Sequence, residues 1–447
     1  MPCATPCQRR PGGFLQRKHP VIIAYREAFE PLRANPCPRQ TVVPPNRLES
    51  SYWDLLASLV RRPGHDPRAA LQSALSRILD REHVILAPSA RCAIAQVLSL
   101  LPQREVVMPA FNCGVVKGAV EAAGKHIIYV DVAKHSVNAG VAEFAAAAKP
   151  GRVLLITHQF GVPTDVEAIC ELARSRGCVT IEDAACSFGS RRNGQQLGTF
   201  ADFGIYSFES WKRLPAFRGG AIVVNNPSLL DPIRLSREPL VATKLKLPTR
   251  ELAAALARNV ATIPWIYGRA VLPKLLDNYR RPAPESTSSG VPASVTHGPP
   301  YTREFHPYQA QLVLRMLKRM DRIRGHIGQL ASLYQEALKG SPVVSLFPSS
   351  EDEGGVLRFP IAFAGKSRAE ALREALGRGL YLETEFEQPL PAPAELINFP
   401  NAVWAGKHVV LLPLYTALSL KDARVLAGHV TEIARDVPDR KKTAAHP

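Results

Sequence analysis

Short apolar runs alternate with helix-like segments between about residues 82 and 226, and this alternation restricts the fold more than any other feature of the 447-residue chain. The runs that predict strands are HVILA (83–87), EVVMP (105–109), HIIYVDV (126–132), VLLIT (153–157), VTIED (179–183) and AIVVNN (221–226). Segments with a helical pattern, such as ARCAIAQVLSLL and VEAICELARSRG, separate them. Strands that alternate with helices of about 10 to 15 residues predict a largely parallel sheet, with ligands at the carboxyl ends of the strands.

The rest of the chain predicts a domain order around this sheet. Residues 1–50 are rich in proline and arginine without a sustained period, which indicates a flexible or loosely docked arm. We expect a large domain at 51–305 that carries a helical insertion at about 228–305. A long amphipathic helix from Tyr308 would open a small α+β domain at 306–435, and a basic tail would follow at 436–447.

Composition is that of an ordinary globular protein, with 46% hydrophobic and 21% charged residues. No charge-free stretch approaches the roughly 20 apolar residues of a spanning helix, and the N-terminus lacks the apolar segment of a secretory signal. We therefore expect a cytoplasmic protein. The eight cysteines are too sparse for a disulfide scaffold, and no metal-binding spacing accompanies them, so we expect reduced thiols and no metal.

The net charge of +17 is compatible with nucleic acid, anionic lipid or a small anionic substrate. Its sources are scattered, so we expect no nucleic-acid partner. Residues 252–277 contain Trp265, Tyr267 and several basic residues, a composition compatible with a helix that rests on an anionic membrane surface. Pro264 and Pro273 interrupt that segment, which favours the alternative of a packed helical pair.

Chemistry-bearing residues follow several predicted strands. Ser89, Ala90 and Arg91 lie between HVILA and a helix, where free backbone N–H groups favour a phosphate, although an ordinary helix cap explains Ser89 as well. Asp183 closes VTIED, and a buried carboxylate there needs a partner such as a cationic ring nitrogen, a helix end or an internal salt bridge.

Ser207 and Lys212 lie in GIYSFESWKRLPAFRGG, between two apolar strands. A lysine in a loop is usually a solvated charge, but this placement indicates a partly buried amine, and burial makes a lysine more nucleophilic. An amine, a carboxylate for a ring nitrogen and a phosphate cradle at one sheet edge are the parts that a pyridoxal phosphate (PLP) site requires. Motifs of Walker-type, dinucleotide, HExxH and GxSxG sites are missing from the sequence.

Three segments together resemble the DegT/DnrJ/StrS group of sugar aminotransferases, which are PLP enzymes of the aspartate aminotransferase fold (fold type I). They are VVMPAFNCGVVKGAVEAAGKHIIYVDV, THQFGVPTDVEAICELARSRGCVTIEDAACSFGS and GIYSFESWKRLPAFRGGAIVVNN. The resemblance extends from Tyr52 to near Val430. It implies an α/β fold with a mostly parallel, seven-stranded sheet between helices and a smaller C-terminal α+β domain. It also implies a homodimer.

The resemblance implies roles for the matching residues. Lys212, in the SFxxxK pattern, would bind PLP covalently, and Asp183, in EDAA, would bind the pyridine nitrogen. The Ser207 hydroxyl and the backbone amides of Ala90 and Arg91 would bind the cofactor phosphate.

Other matching residues would surround the cofactor. Phe111 and Cys113 occupy the PAFNC turn that lies over the ring in this family. His158, in THQFG, matches a pocket-wall segment, although it is equally typical of a buried histidine that is bonded locally. Cys186 stands where the family usually has glutamine beside the phenolic oxygen, and Arg218 stands where an acidic residue is usual.

These observations predict a PLP-dependent aminotransferase that moves an amino group from a donor, glutamate by resemblance, to a keto group of a nucleotide-linked sugar. Polysaccharide or secondary-metabolite biosynthesis would be its setting. One alternative is a PLP-dependent sugar dehydratase, but that branch replaces the lysine with histidine, so Lys212 counts against it. The other is a non-catalytic or regulatory protein of the same fold, which would tolerate Cys186 and Arg218.

Overall fold

The computed structural model describes seven stretches of the chain, and all structural statements concern these residues: 43–60, 66–229, 231, 247–274, 304–347, 355–384 and 389–435. The first 42 residues of the predicted arm, much of the predicted insertion and the basic tail lie outside them. The predicted domain boundaries stay a prediction.

A seven-stranded sheet in the order β1-β9-β8-β5-β4-β2-β3 forms the centre of the large domain. All neighbouring strands are parallel except β9, which runs antiparallel to both β8 and β1. Its strands are β1 His83–Ala87, β2 Glu105–Pro109, β3 His126–Val130, β4 Arg152–Thr157, β5 Val179–Asp183, β8 Phe203–Ser207 and β9 Gly220–Val224. A small hairpin, β6 Arg191–Arg192 and β7 Gln195–Gln196, precedes β8.

Helices cover both faces of this sheet because its strands bury both faces. Alternate residues of β4 belong to different cores: Val153 and Leu155 pack with helices α3 and α4, whereas Leu154 and Ile156 pack with α5 and α6. Each such fully buried side chain contributes about 1.5–3 kcal/mol of hydrophobic stabilisation. The helices of the large domain are α1 Tyr52–Ala57, α2 Pro67–Leu79, α3 Ala90–Leu100, α4 Gly114–Ala122, α5 Val141–Ala147 and α6 Val166–Ser175.

The described part of the predicted insertion is helical. Helix α7 covers Thr249–Ala261, and short helical turns follow at Pro264–Ile266 and Tyr267–Val271. The break before Pro264 agrees with the interruption predicted there, because proline cannot continue the hydrogen-bond ladder of a preceding turn. The interruption predicted at Pro273 is wrong, since residues 264–274 are helical without a break. The Asn259 side-chain amide donates a hydrogen bond of 3.0 Å to the Ser50 carbonyl oxygen, which ties α7 to the start of α1.

The predicted long helix from Tyr308 is two helices, α8 Pro307–Leu317 and α9 Met320–Leu338. A two-residue turn separates them, and they pack against different partners: α8 contacts α2, whereas α9 contacts the C-terminal helix α12. The remaining elements are β10 Val343–Ser345, β11 Arg358–Phe363, α10 Arg368–Gly377, α11 Pro400–His408, β12 Val410–Pro413 and α12 Leu420–Arg435. Strands β10, β11 and β12 form an antiparallel sheet.

Part of the predicted N-terminal arm is docked on the body of the protein. Val43, Leu48 and Glu49 are buried, and the Tyr415 hydroxyl donates a hydrogen bond of 3.1 Å to the Pro44 carbonyl oxygen. This part of the arm therefore bridges the large domain and the C-terminal strands. Among the described residues, no helix combines the length and the apolar character that crossing a bilayer demands.

Candidate active site

The candidate residues meet at the carboxyl edge of the sheet. Asp183 ends β5 and Ser207 ends the neighbouring strand β8. Because β9 is antiparallel, its first residue, Gly220, lies at the same edge and pairs with Ser207 on one side and Ala87 on the other. The topology therefore places the end of β1, and the helix α3 that follows it, beside Ser207.

The N-terminus of α3 forms a compact cradle with the Gly219-Gly220 segment. The Ser89 hydroxyl accepts a hydrogen bond of 3.2 Å from the Cys92 amide and so caps the helix, as one of the two sequence interpretations held. A Cβ atom on Gly220 would come within 2.8 Å of the Ala90 nitrogen, so glycine is required for this approach. The positive end of the helix dipole and the N–H groups of its first turn make this edge attractive to an anion.

Arg91 and Ser207 face the same turn of the chain. The buried Arg91 guanidinium lies 3.8 Å from the Glu209 carboxylate, and the Glu209 amide lies 3.4 Å from the Ser207 hydroxyl oxygen. The structure thus brings the three predicted phosphate-binding residues, Ala90, Arg91 and Ser207, to one place.

The Asp183 carboxylate is 5% exposed. It accepts a hydrogen bond of 3.1 Å from the Ala185 amide. Burial raises the pKa of Asp183, and the Ala185 hydrogen bond and the nearby charges of Lys212 and His158 oppose that rise. A buried carboxylate whose ionised form is disfavoured in this way is stabilised by a further cation, such as a protonated ring nitrogen.

Lys212 is half-buried, and its amine lies 2.9 Å from the Cys186 sulfur. The Lys212 backbone amide donates a hydrogen bond of 2.9 Å to the Glu209 carbonyl oxygen, so the lysine belongs to the same turn as Ser207 and Glu209. The amine, Cys186 and Asp183 therefore form one group at the end of β5.

His158 is fully buried and does not present a ring nitrogen to this group. Its Nε2 lies 2.9 Å from Glu182, and its Nδ1 accepts a hydrogen bond of 3.2 Å from the Thr164 amide, which makes Nε2 the protonated nitrogen. The local-bonding interpretation of His158 describes these contacts. His158 also lies near Asp183.

Glu182 is a buried residue that the sequence interpretation did not include. Its carboxylate accepts backbone hydrogen bonds of 2.5 Å from Gly198, 3.0 Å from Phe200 and 3.3 Å from Ala201, besides the contact with His158. Neighbouring residues of a strand point to opposite faces, so Glu182 anchors the loop after β7 while Asp183 faces the candidate site. The adjacent acids in VTIED were the signal that could have revealed it.

The PAFNC turn is fixed by contacts with neighbouring side chains. Phe111 is buried and packs edge-to-face on Phe160, and its carbonyl oxygen accepts a hydrogen bond of 2.8 Å from the Gln159 side chain. Cys113 is half-buried at the N-cap of α4, and its amide donates a hydrogen bond of 2.7 Å to the Asn112 side chain.

Gly161 lies in close contact with the segment that carries Cys186 and with the residues that precede β11. With φ at +87°, a Cβ atom here would lie 2.4 Å from the Cys186 carbonyl oxygen and 2.8 Å from the Leu357 nitrogen. Leu357 also donates a hydrogen bond of 2.9 Å to the Phe160 carbonyl oxygen. The start of β11 therefore lies directly against the segment that carries Cys186.

Two buried ion pairs surround Lys212, and sequence reasoning missed both. The Arg213 guanidinium donates to Glu49 at 2.5 Å, to the Leu414 carbonyl oxygen at 3.3 Å and to the Val356 carbonyl oxygen. Arg358 donates to Glu383 at 2.5 Å. Each partner is distant in the sequence, so no local pattern could have revealed these pairs.

Arg218 is also buried, and it lies 3.2 Å from Glu251 on α7. A second contact joins α7 to the lysine loop, because the Arg258 guanidinium lies 4.1 Å from the ring centroid of Trp211. These contacts place α7 beside the turn that carries Lys212. Arg218 is thus a structural ion pair here and does not offer a solvated charge to a substrate.

A mostly parallel α/β sheet with a half-buried lysine, a buried carboxylate and a helix N-terminus at one edge defines a PLP-transferase-like protein of fold type I. Known structures confirm this fold. The crystal structure of S. venezuelae DesV in complex with a ketimine intermediate has a TM-score of 0.65 and 21% identity, covering 89% of this chain and 99% of that chain. A DegT DnrJ EryC1 StrS aminotransferase from Brucella abortus has a TM-score of 0.65 and 19% identity, covering 86% and 95%.

Sequence comparison relates part of the chain to a known family. Residues 60–250 match the model of the DegT/DnrJ/EryC1/StrS aminotransferase family. A dTDP-4-dehydro-2,3,6-trideoxy-D-glucose 4-aminotransferase from Saccharopolyspora spinosa is 24% identical over 362 residues, which cover 78% of this chain and 84% of that protein.

Two shorter matches have higher identity. The GDP-perosamine synthase of Escherichia coli O157:H7 is 32% identical over 128 residues, 28% of this chain and 35% of that protein. A pleiotropic regulatory protein of Geobacillus stearothermophilus is 32% identical over 144 residues, 32% of this chain and 39% of that protein. The chain therefore aligns with little more than a third of each of these two relatives.

Proposed function

We propose that this protein is a PLP-dependent aminotransferase that transfers an amino group to a keto group of a nucleotide-linked sugar. The observation that carries the proposal is the position of the Lys212 amine, 2.9 Å from Cys186 and within electrostatic reach of the buried Asp183 carboxyl. The match of residues 60–250 to an aminotransferase family model supports the reaction class. Two relatives, one named as a dTDP-sugar 4-aminotransferase and one as a GDP-perosamine synthase, support the substrate class.

The residues present fit PLP, which combines an aldehyde, a ring nitrogen and a phosphate. Lys212 supplies the amine for the aldehyde. Asp183 is a buried acid whose raised pKa shows that its ionised form lacks full compensation, and a protonated ring nitrogen would provide it. Ser207 and the first turn of α3, at Ala90 and Arg91, would hold the phosphate at the far end.

When bound, PLP supplies an electron sink that stabilises negative charge on the carbon beside the reacting nitrogen. The chain's own residues prepare and direct that chemistry. Lys212 would hold the cofactor and, once released by the amino donor, would move a proton as base and acid. Asp183 would keep a proton on the ring nitrogen. Cys186 faces the lysine nitrogen, and the Phe111–Cys113 turn limits the access of water.

The donor and the biological setting are parts of this proposal. We propose glutamate as the donor and polysaccharide or secondary-metabolite biosynthesis as the setting, on the family resemblance. We also propose a cytoplasmic homodimer. Trp53 and Trp265 are 80% and 64% exposed, which provides apolar surface for a contact with a second copy. The membrane-surface contact of the α7 region stays the weaker alternative for Trp265.

Borohydride trapping tests the role of Lys212. The full chain is incubated with PLP, reduced and digested, and the modified peptide is identified by mass spectrometry. We expect one added pyridoxyl group on Lys212 and none in Lys212→Ala, with Lys339→Ala, an exposed lysine, as the matched control. A reduced protein without the adduct on Lys212 would overturn the assignment.

Single-turnover spectroscopy separates an aminotransferase from the two alternatives. Glutamate added to the PLP-loaded chain should convert the cofactor to its amine form with release of 2-oxoglutarate, and a nucleotide-linked keto sugar should reverse this change. A chain that binds PLP but shows neither step would favour a regulatory protein, as one relative is named. Loss of water from the sugar without amino transfer would favour a dehydratase.

A further inference from the structure

A thiol and an amine from different segments of the chain are in direct contact. The Cys186 sulfur lies 2.9 Å from the Lys212 nitrogen, although 26 positions separate the two residues. A hydrogen bond of 3.0 Å from the Ser187 amide to the Ala184 carbonyl oxygen fixes the turn that carries the cysteine. The Lys212 amide donates a backbone hydrogen bond of 2.9 Å. The two reactive atoms are therefore held together by the fold.

The surroundings of the Cys186 sulfur contain positive charge. Lys212 is in contact with the sulfur, and the buried Arg213 guanidinium also lies near it. Because Arg213 is paired with Glu49, the Lys212 ammonium is the principal cation at the sulfur. A cation beside a thiol favours the thiolate, which is the form that a peroxide oxidises.

Three other described cysteines are held as protonated thiols. Burial raises the pKa of the Cys92 and Cys178 thiols, and it raises the pKa of Cys170 to about 12. The Cys178 thiol also donates a hydrogen bond of 3.1 Å to the Lys149 carbonyl oxygen. Protonated thiols react slowly with peroxide, so these three cysteines serve as internal references for Cys186.

A small oxidant can reach the pair. Cys186 and Lys212 are both half-buried. A narrow cleft borders Lys212, with Trp211, Arg213 and Arg358 in its walls, and its enclosed space is about 10 Å³. This is about the room that one water molecule needs, and hydrogen peroxide is only slightly larger.

We propose that Cys186 and Lys212 form a modification site, at which a peroxide links the cysteine sulfur to the lysine nitrogen. In the first step the thiolate attacks one peroxide oxygen, and the O–O bond breaks. The sulfur loses two electrons and becomes a sulfenic acid, while the departing hydroxide takes a proton from the lysine ammonium and leaves as water. In the second step the neutral amine attacks the sulfur. The S–N bond of a sulfenamide forms, the S–O bond breaks, and a second water leaves.

The link removes the nitrogen on which the proposed function depends. A sulfenamide nitrogen cannot bond to the aldehyde of PLP, so the oxidised chain does not load the cofactor, whereas PLP on Lys212 protects the pair. A thiol reverses the link by attacking the sulfur and releasing the amine. A second thiol then frees Cys186 and leaves as a disulfide with the first. Only the effect on PLP loading rests on the proposed function.

Mass spectrometry of the full chain without PLP tests the link. The protein is treated briefly with an equimolar amount of hydrogen peroxide, catalase ends the reaction, free thiols are alkylated, and trypsin digests the chain. We expect peptides joined between Cys186 and Lys212, lighter by two hydrogen atoms than the separate peptides together. Cys178 lies in the same tryptic peptide as Cys186, so fragment ions must assign the sulfur.

Variants identify the two linked atoms. Cys186→Ser and Lys212→Arg should each lose the joined peptides, whereas the matched control Cys178→Ser should keep them. Lys212→Arg keeps a cation beside the sulfur but removes the amine. Dimedone, which traps sulfenic acids, should therefore label Cys186 several-fold more in this variant than in the wild type.

Reversal and protection complete the test. Dithiothreitol should remove the link and restore PLP uptake by the oxidised chain, and PLP loaded before the peroxide should prevent the link. A sulfenic or sulfinic acid on Cys186 of the wild type without joined peptides would overturn the proposal. Oxidation of Cys113 with an unchanged Cys186 would overturn it as well.

Failure of this proposal differs from failure of the proposed function. A protein that transfers amino groups, but whose peroxide-treated chain lacks the joined peptides, disproves only the modification site. A protein that forms the link but never binds PLP through Lys212 disproves only the aminotransferase proposal.

Discussion

The Lys212 amine lies 2.9 Å from the sulfur of Cys186, which stands where the DegT/DnrJ/EryC1/StrS family usually has glutamine. Three residues earlier, Asp183 closes the same strand-to-turn segment, so one short stretch carries both the acid and the thiol that face the lysine. Any group bound to the lysine nitrogen must therefore share its surroundings with a thiol, which is a weak hydrogen-bond donor.

Cys186→Gln should strengthen cofactor binding. The amide would replace a weak donor with a strong one beside the phenolic oxygen, for which we expect a several-fold lower Kd for PLP, corresponding to about 1 kcal/mol, and a shifted absorbance band. Fluorescence titration and absorbance spectra measure both effects. Cys178→Gln is the control, because Cys178 is half-buried elsewhere and its thiol donates a hydrogen bond to the Lys149 carbonyl oxygen. An unchanged spectrum and Kd would mean that residue 186 does not face the cofactor.

Asp183→Asn should change how the stability of the cofactor-free protein depends on pH. Burial raises the folded-state pKa of Asp183 above its ordinary value of 3.8. A carboxyl group whose pKa is higher in the folded than in the unfolded state stabilises the fold at pH values below its unfolded-state pKa. This stabilisation is lost as pH rises through the folded-state pKa. Asparagine stays neutral throughout. We therefore expect the variant to gain free energy of unfolding relative to the wild type between about pH 4 and pH 7.

Urea denaturation of both proteins at the two pH values measures this difference. Saturating PLP should reduce this difference in the free energy of unfolding, because the protonated ring nitrogen would neutralise the charge of the wild-type carboxylate. In the loaded enzyme the same variant should lower turnover by about 10²–10³-fold, since the ionic partner of the ring is lost. A pH-independent difference would show that the carboxylate is already compensated in the free protein.

Glu182→Gln should destabilise the fold strongly, although glutamate and glutamine have nearly the same shape. The carboxylate accepts from His158 and from three backbone amides, and a glutamine NH₂ group would meet donors instead of acceptors. We expect a loss of about 3 kcal/mol in the free energy of unfolding, measured by chemical denaturation. Glu82→Gln, at a side chain that is 87% exposed, should be nearly neutral. Equal effects at both positions would contradict the anchoring role.

Gly161→Ala should disturb the meeting point of Cys186 and β11. The left-handed backbone and the contacts of 2.4 and 2.8 Å that a Cβ atom would make predict a loss of about 2 kcal/mol or more. Gly151→Ala is a close control, because Gly151 has φ +79° with no atom within 4 Å of its added Cβ, and it isolates the backbone cost. Thermal unfolding should show the larger loss for Gly161→Ala, and identical losses would exclude a steric effect.

The active protein should sediment as a dimer. Fold type I sites are commonly completed by a second subunit, so we expect a species of about twice the 48.8 kDa chain mass at micromolar concentration, formed by a symmetric contact. Analytical ultracentrifugation of the PLP-loaded protein measures it. A fully active monomer would contradict the expectation.

Local pattern predicted the central sheet well. The apolar runs at 83–87, 105–109 and 179–183 are strands with those bounds, because short buried strands leave a continuous hydrophobic signal. The predicted helix from Tyr308 was wrong in its continuity, since periodicity does not reveal that α8 and α9 pack against different partners. Asp183, Ser207 and Lys212 could be selected because each closes or follows a strand at the ligand-binding edge of a parallel sheet.

By itself, the sequence determined which residues could form the group of Lys212, Cys186 and Asp183. Residue type and position at a strand end depend only on neighbours along the chain. Only the tertiary structure decided what surrounds that group. Glu49 reaches Arg213 across 164 positions, and Leu357 reaches Phe160 from the other domain. Such contacts arise from packing of distant segments, whose geometry is set by the whole core and leaves no local signature. The charge, burial and shape of the cleft beside Lys212 are therefore properties of the folded chain.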